Sequence, residues 1–465
     1  MILRLALRSL VIHPIRSGIL AAGFGLGVSV MASLLGIGQV ILEQARSPAL
    51  VGGGDVLVTG ATGKVGSARF VLSSALGTGP LAGRVRAASP ASRARLYLVR
   101  MDGVVPIGAR GGIPSLERAL DDPETGTVEA WVDSEADRAW ADPPAEDVLR
   151  AMDRFHPIPN VPARAASWAE WLYFNGQAGD TRFYLTFLVG PRLESGRRAA
   201  GVRLQLARDG ERTSFADSAE LDEKTVLASA PDLTIGGSRV RLDGREYQID
   251  LDLPEEGRPG RRVRGRIVVG ASPGRSLPPL SIRGAGGWVS GYVVPVMSGT
   301  LSGSITVGDE DVSLAGGTGY HDHNWGFWEG VSWQWGQVHH EGLSFVYGRV
   351  QPPADAADAE RLPHFLAALG PEGPIAWATD VSIDETDATA TGRPEQIVVE
   401  GRGEGLDLTL VLTVQDMTTT RMSEGLFGEG LDFLQLRGPF TVSGVAGERR
   451  VDFTAPGAAE TFRGR

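Results

Sequence analysis

The run Gly316-Gly-Thr-Gly-Tyr320-His321-Asp322-His323-Asn324-Trp325-Gly326 concentrates the side chains able to do chemistry. Two of the chain's 7 histidines lie in it, and His339 and His340 follow closely. Trp325, Trp328, Trp333 and Trp335 crowd the same stretch. Its glycines let the backbone turn tightly or pass close to a ligand. In an extended segment side chains alternate between faces. His321, His323 and Trp325 then point one way, and Tyr320, Asp322 and Asn324 the other. An acid, two imidazoles and a fence of indoles make up a buried, partly apolar site.

Three chemistries compete with a purely structural role. The His-x-His pair suits a metal, with His339 or His340 as a further ligand, but Asp322 faces away and no third ligand is fixed. No metal or cofactor is therefore expected. A serine hydrolase needs a Gly-x-Ser-x-Gly turn; Ser344 follows Gly342-Leu343, with Phe345 where the glycine belongs. The structural alternative is a hydrogen-bonded closure in which His and Asp pin loops and Trp fills a domain junction. The third chemistry is acid catalysis in an apolar cavity.

Tyr320-His-Asp-His-Asn-Trp-Gly326 resembles the signature of the carotenoid hydratases (hydroxyneurosporene synthases) and of the secreted AttH-type lipocalin-like proteins. Glu170-Trp-Leu-Tyr-Phe174 resembles the opening of the first barrel in that family, and Gly291-Tyr-Val-Val-Pro295 its approach strand. The resemblance spans residues 165–465. It implies two lipocalin-like barrels and an apolar polyene or isoprenoid ligand, with hydration of a C=C bond. Protonating carbon gives a cation that water traps. A carboxyl in an apolar cavity stays protonated because burial raises its pKa, and indole faces stabilise cations. Asp322 is then the acid, His321 and His323 orient water, and Trp325 faces the cation. The resemblance implies a further tyrosine and acid two residues apart. Tyr347-Gly-Arg349 is the nearest match, with arginine in place of the acid, so the expected activity is weak or lost. Tyr320, Asn324, Trp328, Trp333, Trp335, His339, Trp171 and Tyr173 are the expected ligand contacts.

These residues need elements to position them. From Trp168 onward the period is two: Val202, Leu204 and Leu206; Tyr247, Ile249, Leu251 and Leu253; Leu406, Leu408, Leu410 and Leu412. Such strands bury one face, and Asp209-Gly210 and Asp243-Gly244 are hairpin turns. The expected fold is mainly β, with two consecutive antiparallel lipocalin-like barrels at 165–326 and 327–465. Before them, 43–164 is a small mixed α/β region ending in the linker His156-Pro-Ile-Pro-Asn-Val-Pro162. Ser115–Leu120 and Ala145–Phe155 are expected as its helices, and the residues around Asp102-Gly103 as a hairpin.

At the N-terminus, 1–17 is a basic tail and 18–42 runs without a charge, long enough to span a bilayer. The Arg bias before it places the body outside the cytoplasm. The expectation is a single pass in a bacterial inner membrane with a periplasmic body. Leu5 to Gly38 resembles the first span of FtsX/MacB-type ABC transporter permeases. This suggests an alternative role, a non-catalytic lipid-handling partner of an exporter's permease and ATPase. Val56-Leu-Val-Thr-Gly60-Ala-Thr-Gly63 looks like a phosphate loop, but no acid occurs between residues 67 and 100 to hold a ribose. A net charge of −11 over 465 residues argues against nucleic acid as a partner. With 0 cysteines there is no disulfide, thiolate ligand or cysteine nucleophile.

Overall fold

The computed structural model describes residues 84–465, except 101–102, 122–130, 142, 273–275, 358–363, 372, 389–392, 404, 423–430 and 465, and isolated positions before them. The expected basic tail, membrane anchor and most of the glycine run after Val56 lie outside the described residues. Among the described residues, no helix is long and apolar enough to cross a membrane.

The chain divides into two compact units, Met1–Val65 with Arg86–Asp137, and Gly66–Val85 with Arg138–Arg465. In the first, β1 (Ala91–Arg100) and β2 (Gly103–Gly112) pair antiparallel from Arg100 opposite Gly103, so the expected hairpin is present, with Gly103 already in its second strand. Helix α1 (Pro114–Ala119) follows, with proline at its start, where a missing N–H costs nothing. Its buried Glu117 accepts a hydrogen bond from Ser89 Oγ at 2.7 Å. Helix α2 (Glu135–Ala141) contains the division between the two units, at Asp137 and Arg138.

The second unit opens with α3 (Ala145–Met152), started after Pro144. A run of antiparallel strands follows: β3 (Trp168–Ala178), β4 (Thr181–Arg192), β5 (Arg198–Arg208) and β6 (Glu211–Leu221). Helix α4 (Glu223–Ser229) is capped by the Asp222 side chain, which accepts from Thr225 N–H. Then come β7 (Leu233–Ile235), β8 (Ser238–Asp243), β9 (Glu246–Glu255), β10 (Arg258–Gly270), β11 (Leu277–Arg283), β12 (Val289–Val307), β13 (Glu310–Ser313) and β14 (Gly317–Phe327). The pairing runs β10-β12-β14-β3-β4-β5-β6-β9, and β9 pairs again with β10, so these eight strands close into a ring. Closure leaves no free edge.

The second sheet comprises β15 (Ser332–His340), β16 (Leu343–Gln351), β17 (Phe365–Gly370), β18 (Gly373–Ala378), β19 (Asp380–Asp387), β20 (Pro394–Gly403), β21 (Leu406–Thr413), β22 (Asp416–Met422), β23 (Leu431–Ala446) and β24 (Arg449–Gly464). Its order is β18-β17-β16-β15-β24-β23-β21-β20-β19, with β22 on β23. The ends curl toward each other, and His364 Nδ1–H donates to the Val381 carbonyl at 2.8 Å. The protein is mainly β, with two barrel-like sheets, as the period-two pattern predicts.

That pattern is visible in burial. β8 alternates buried and exposed at every position, and β9 and β21 do nearly the same. The Asp209-Gly210 turn has positive φ at both residues (52° and 80°), as a two-residue hairpin loop requires. The apolar core of the ring continues into the second sheet through Trp333, Val346, Phe365 and Phe462. The two sheets thus share a packed junction, and β14 lies at it.

Candidate functional site

Strand β14 carries two sites back to back. It pairs with β3 in a register that sets Trp325 opposite Glu170, His323 opposite Leu172, and His321 opposite Phe174. On this face Tyr247, from β9 across the ring, meets His321 at 4.5 Å between centroids, so the face looks into the first barrel. Paired on the other face are Asp322 with Tyr173 and Asn324 with Trp171. That face looks toward the second sheet.

The inward face holds a buried charge cluster. His323 Nδ1 meets Asp153 at 2.7 Å, and its Nε2 meets Glu170 at 2.9 Å. Both partners are carboxylates, so each ring nitrogen must carry a hydrogen. Burial pulls the His323 pKa down, but the bonds and charges of Asp153 and Glu170 prevail and raise it to about 9. His321 Nδ1–H donates to the Tyr173 carbonyl at 3.0 Å, and Nε2 meets Asp153 at 3.0 Å. Tyr247 O–H also donates to Asp153, at 2.9 Å. Burial pushes the Asp153 carboxyl up, but His321 and His323 outweigh it and hold it below the ordinary range. Glu170 is lowered too: His156 and His323 outweigh its burial. Its carboxylate accepts from His156 N–H and from the His156 ring, which stacks on Trp325 at 4.2 Å. Asp153, Glu170, His321 and His323 are all fully buried. The cluster fastens the segment after α3 to the barrel.

The outward face opens on a cleft between the sheets. It is walled by Tyr292, Trp328, Trp333, Trp335 and Phe365, with Asp322, Asn324, Gln334, Arg349 and Glu460 as its polar groups. Trp171 stacks against Trp328 and Trp333, and Trp333 lies 3.7 Å from Phe462. Tyr320 O–H donates to Asp322 at 2.8 Å, and Asn324 Nδ2–H donates at 2.7 Å. Burial first, and then the Glu460 charge, push the Asp322 carboxyl well above its usual range, against Tyr320, His323 and Asn324. Burial likewise raises Glu460, with Tyr173 and Arg437 opposing. The cleft encloses about 550 Å³, including space open to solvent, but centres of water-sized molecules reach only about 40 Å³ of it. It is narrow, and a long ligand enters only if its aromatic walls shift.

The residues singled out in the sequence therefore divide. Asp322, Asn324, Trp328, Trp333 and Trp335 line the cleft, with Tyr320, Tyr173 and Trp171 packed around it. His321, His323 and Trp325 do not: they lie on the opposite face, so they do not orient water for Asp322. Tyr347 is also removed from the site. It is fully buried in the second sheet's own core, against Phe440. His339 bonds Ser344 at 2.8 Å and does not line the cleft. Arg349 donates to Gln334, which donates in turn to Glu385 at 3.0 Å. Sequence reasoning missed Asp153, Glu170 and Glu460. Glu170 sat in a quoted motif; the other two carry no local signal.

Gly291 ties the two faces together. A Cβ there falls 2.3 Å from the Trp325 indole. Gly291→Ala is expected to displace that ring from His156 and to cost about 1–3 kcal/mol, as overpacked cores do. A lowered urea midpoint together with a changed tryptophan emission spectrum checks this.

No family model matches the chain, and no curated relative is found by sequence. Solved structures similar to it include a protein assigned as AttH from Nitrosomonas europaea, at 16% identity over 66% of this chain and 99% of that one, TM-score 0.44. Kievitone hydratase from Nectria haematococca aligns at 13% identity over 67% and 95%, TM-score 0.44. CghA with Sch210972 aligns at 11% identity over 67% and 94%, TM-score 0.43. At these identities and scores the likenesses add nothing to the chemistry of the site, which rests on the geometry above.

Proposed function

We propose that the cleft between the sheets binds an apolar, unsaturated ligand of isoprenoid or polyene type, and that Asp322 protonates one of its C=C bonds so that water adds across it. The observation that carries this reading is a buried carboxyl, pushed upward in pKa by burial, at the edge of a cleft walled by indoles. A neutral carboxyl can give a proton to carbon, and the aromatic faces favour the cation that results. Each CH₂ transferred from water into such walls contributes about 0.8 kcal/mol, enough for a long hydrocarbon to move side chains aside. An uncharged N-terminal run acting as an anchor keeps the cleft beside a membrane that stores such ligands.

Incubating full-length protein in detergent with acyclic carotenoids and shorter isoprenoid alkenes tests this. The expected results are quenching of tryptophan emission and a product heavier by one water. Arg349, which lines the cleft where the resemblance implies an acid, favours one alternative, a carrier without catalysis, serving for instance an ABC-type exporter. Tight quenching with no product from any alkene supports the carrier; neither quenching nor product removes both readings.

A further inference from the structure

The last strand of the chain brings a second carboxyl to the cleft. Glu460 lies on β24, in register with Trp335 of β15 and Gln435 of β23, and lines the same cleft as Asp322. Tyr173 connects them. It is the register partner of Asp322 on β3, and its hydroxyl receives Gln435 Nε2–H at 3.0 Å from the second sheet. Gln435 is itself the register partner of Glu460, so that hydroxyl lies beside the second carboxyl. Two acids from two sheets thus meet across one tyrosine in an enclosed space. Two carboxylates in such a place cannot both ionise freely, because each disfavours the charge of the other.

We propose that Asp322 and Glu460 act as a pair that holds one proton between them, Asp322 as the acid and Glu460 as the base that takes a proton from the attacking water. This deepens the hydration reading and rests on it for the catalytic roles. In the first step the alkene π pair takes the Asp322 proton; a C–H bond forms, the O–H bond breaks, and a carbocation remains beside an Asp322 carboxylate. In the second, a water oxygen bonds the cation and one of its protons passes to the Glu460 carboxylate. The pair has regained its single proton, and one water has been added to the substrate. No oxidant or further reactant is needed. The site is complete only with both sheets, since β14 supplies one acid and β24 the other.

The groups facing this pair are Tyr320 and Asn324 on β14, Tyr173 on β3, Gln435 and Arg437 on β23, and Arg349 on β16, with His323 acting through the strand. Arg437 bonds the Tyr184 hydroxyl at 2.8 Å, which keeps its charge beside Glu460 without placing it in the cleft.

The test is an infrared titration of the full-length protein in detergent, without ligand, followed by kinetics. A protonated-carboxyl C=O band is expected to persist at neutral pH. It should weaken in Asp322→Asn to the part that Glu460, raised by burial alone, still contributes, and in Glu460→Gln it should titrate away at lower pH, because Asp322 has lost its charged neighbour. An Asp322 band that titrates identically in the wild type and Glu460→Gln overturns the pair, whether or not any alkene reacts. With a hydrated alkene in hand, Glu460→Gln is expected to lower kcat by about a hundredfold, as loss of a general base does, with KM little changed. Full activity of Glu460→Gln overturns the role of Glu460 and leaves the hydration reading standing. Absence of product in the wild type, with the coupled bands present, removes hydration and keeps the proton-sharing pair.

Discussion

Asp322→Asn is expected to abolish hydration while leaving ligand quenching intact. Loss of a general acid lowers rates by about 10²–10⁴-fold, and here no other group lining the cleft holds a proton in the same position. Tyr320 and Asn324 can still bond the amide oxygen, so the cleft keeps its shape. Stability provides the control. A carboxyl whose pKa is raised on folding, as Asp322 is by burial and by Glu460, binds its proton more tightly in the folded state. That favours folding less and less as pH rises above the unfolded value of about 3.9. Removing the ionisable group should therefore leave the neutral-pH urea midpoint unchanged or higher. Wild-type activity should fall, not rise, as pH increases and the pair gives up its proton. Undiminished product from Asp322→Asn would place the acid elsewhere.

The contents of each face of β14 could be read from the sequence because period two is a local property. An extended segment of this composition forces His321, His323 and Trp325 apart from Tyr320, Asp322 and Asn324, and the register with β3 keeps them apart. What stands opposite each face is not local. Asp153 lies 168 residues from His321, just past the end of a short helix of ordinary composition. Glu460 sits in the run Ala458-Ala-Glu-Thr461, one polar residue among many on an alternating strand. Antiparallel closure sets such partners by register, which no window of the sequence encodes. The misplacement of Tyr347 has the same cause. On β16, Gly348 reaches the cleft, while Tyr347, one residue earlier, faces the second sheet's core. A glycine among aromatics gives no sign that it, and not the tyrosine, borders the site. Proximity in sequence also drew His321 and His323 into the chemistry of Asp322, although alternation already separates them.

Asp153→Asn is expected to destabilise the second unit strongly, the opposite of Asp322→Asn. Asp153 is fully buried and bonds both His321 and His323. Its replacement leaves the His323 imidazolium facing an amide that cannot balance its charge. Breaking a buried pair from one side costs about 3–5 kcal/mol, so the urea midpoint should drop steeply. The pH dependence has a defined sign at each end. Asp153 and Glu170 have depressed pKa values, so their contribution is present above the unfolded carboxyl values of about 4 and lost as pH falls through the folded values. His323 is raised to about 9, so its contribution is full below the unfolded value and lost as pH rises toward 9. The wild type should thus be most stable between about pH 4 and 6.5, and should lose stability from there to pH 9. Asp153→Asn should flatten that alkaline slope, because His323 then keeps only Glu170 as its carboxylate partner. Hydration by whatever fraction remains folded should proceed at the wild-type rate, since the cluster faces into the barrel and the cleft lies on the other side of the strand. A variant as stable as wild type across this range would mean that Asp153 is not ionised in the fold.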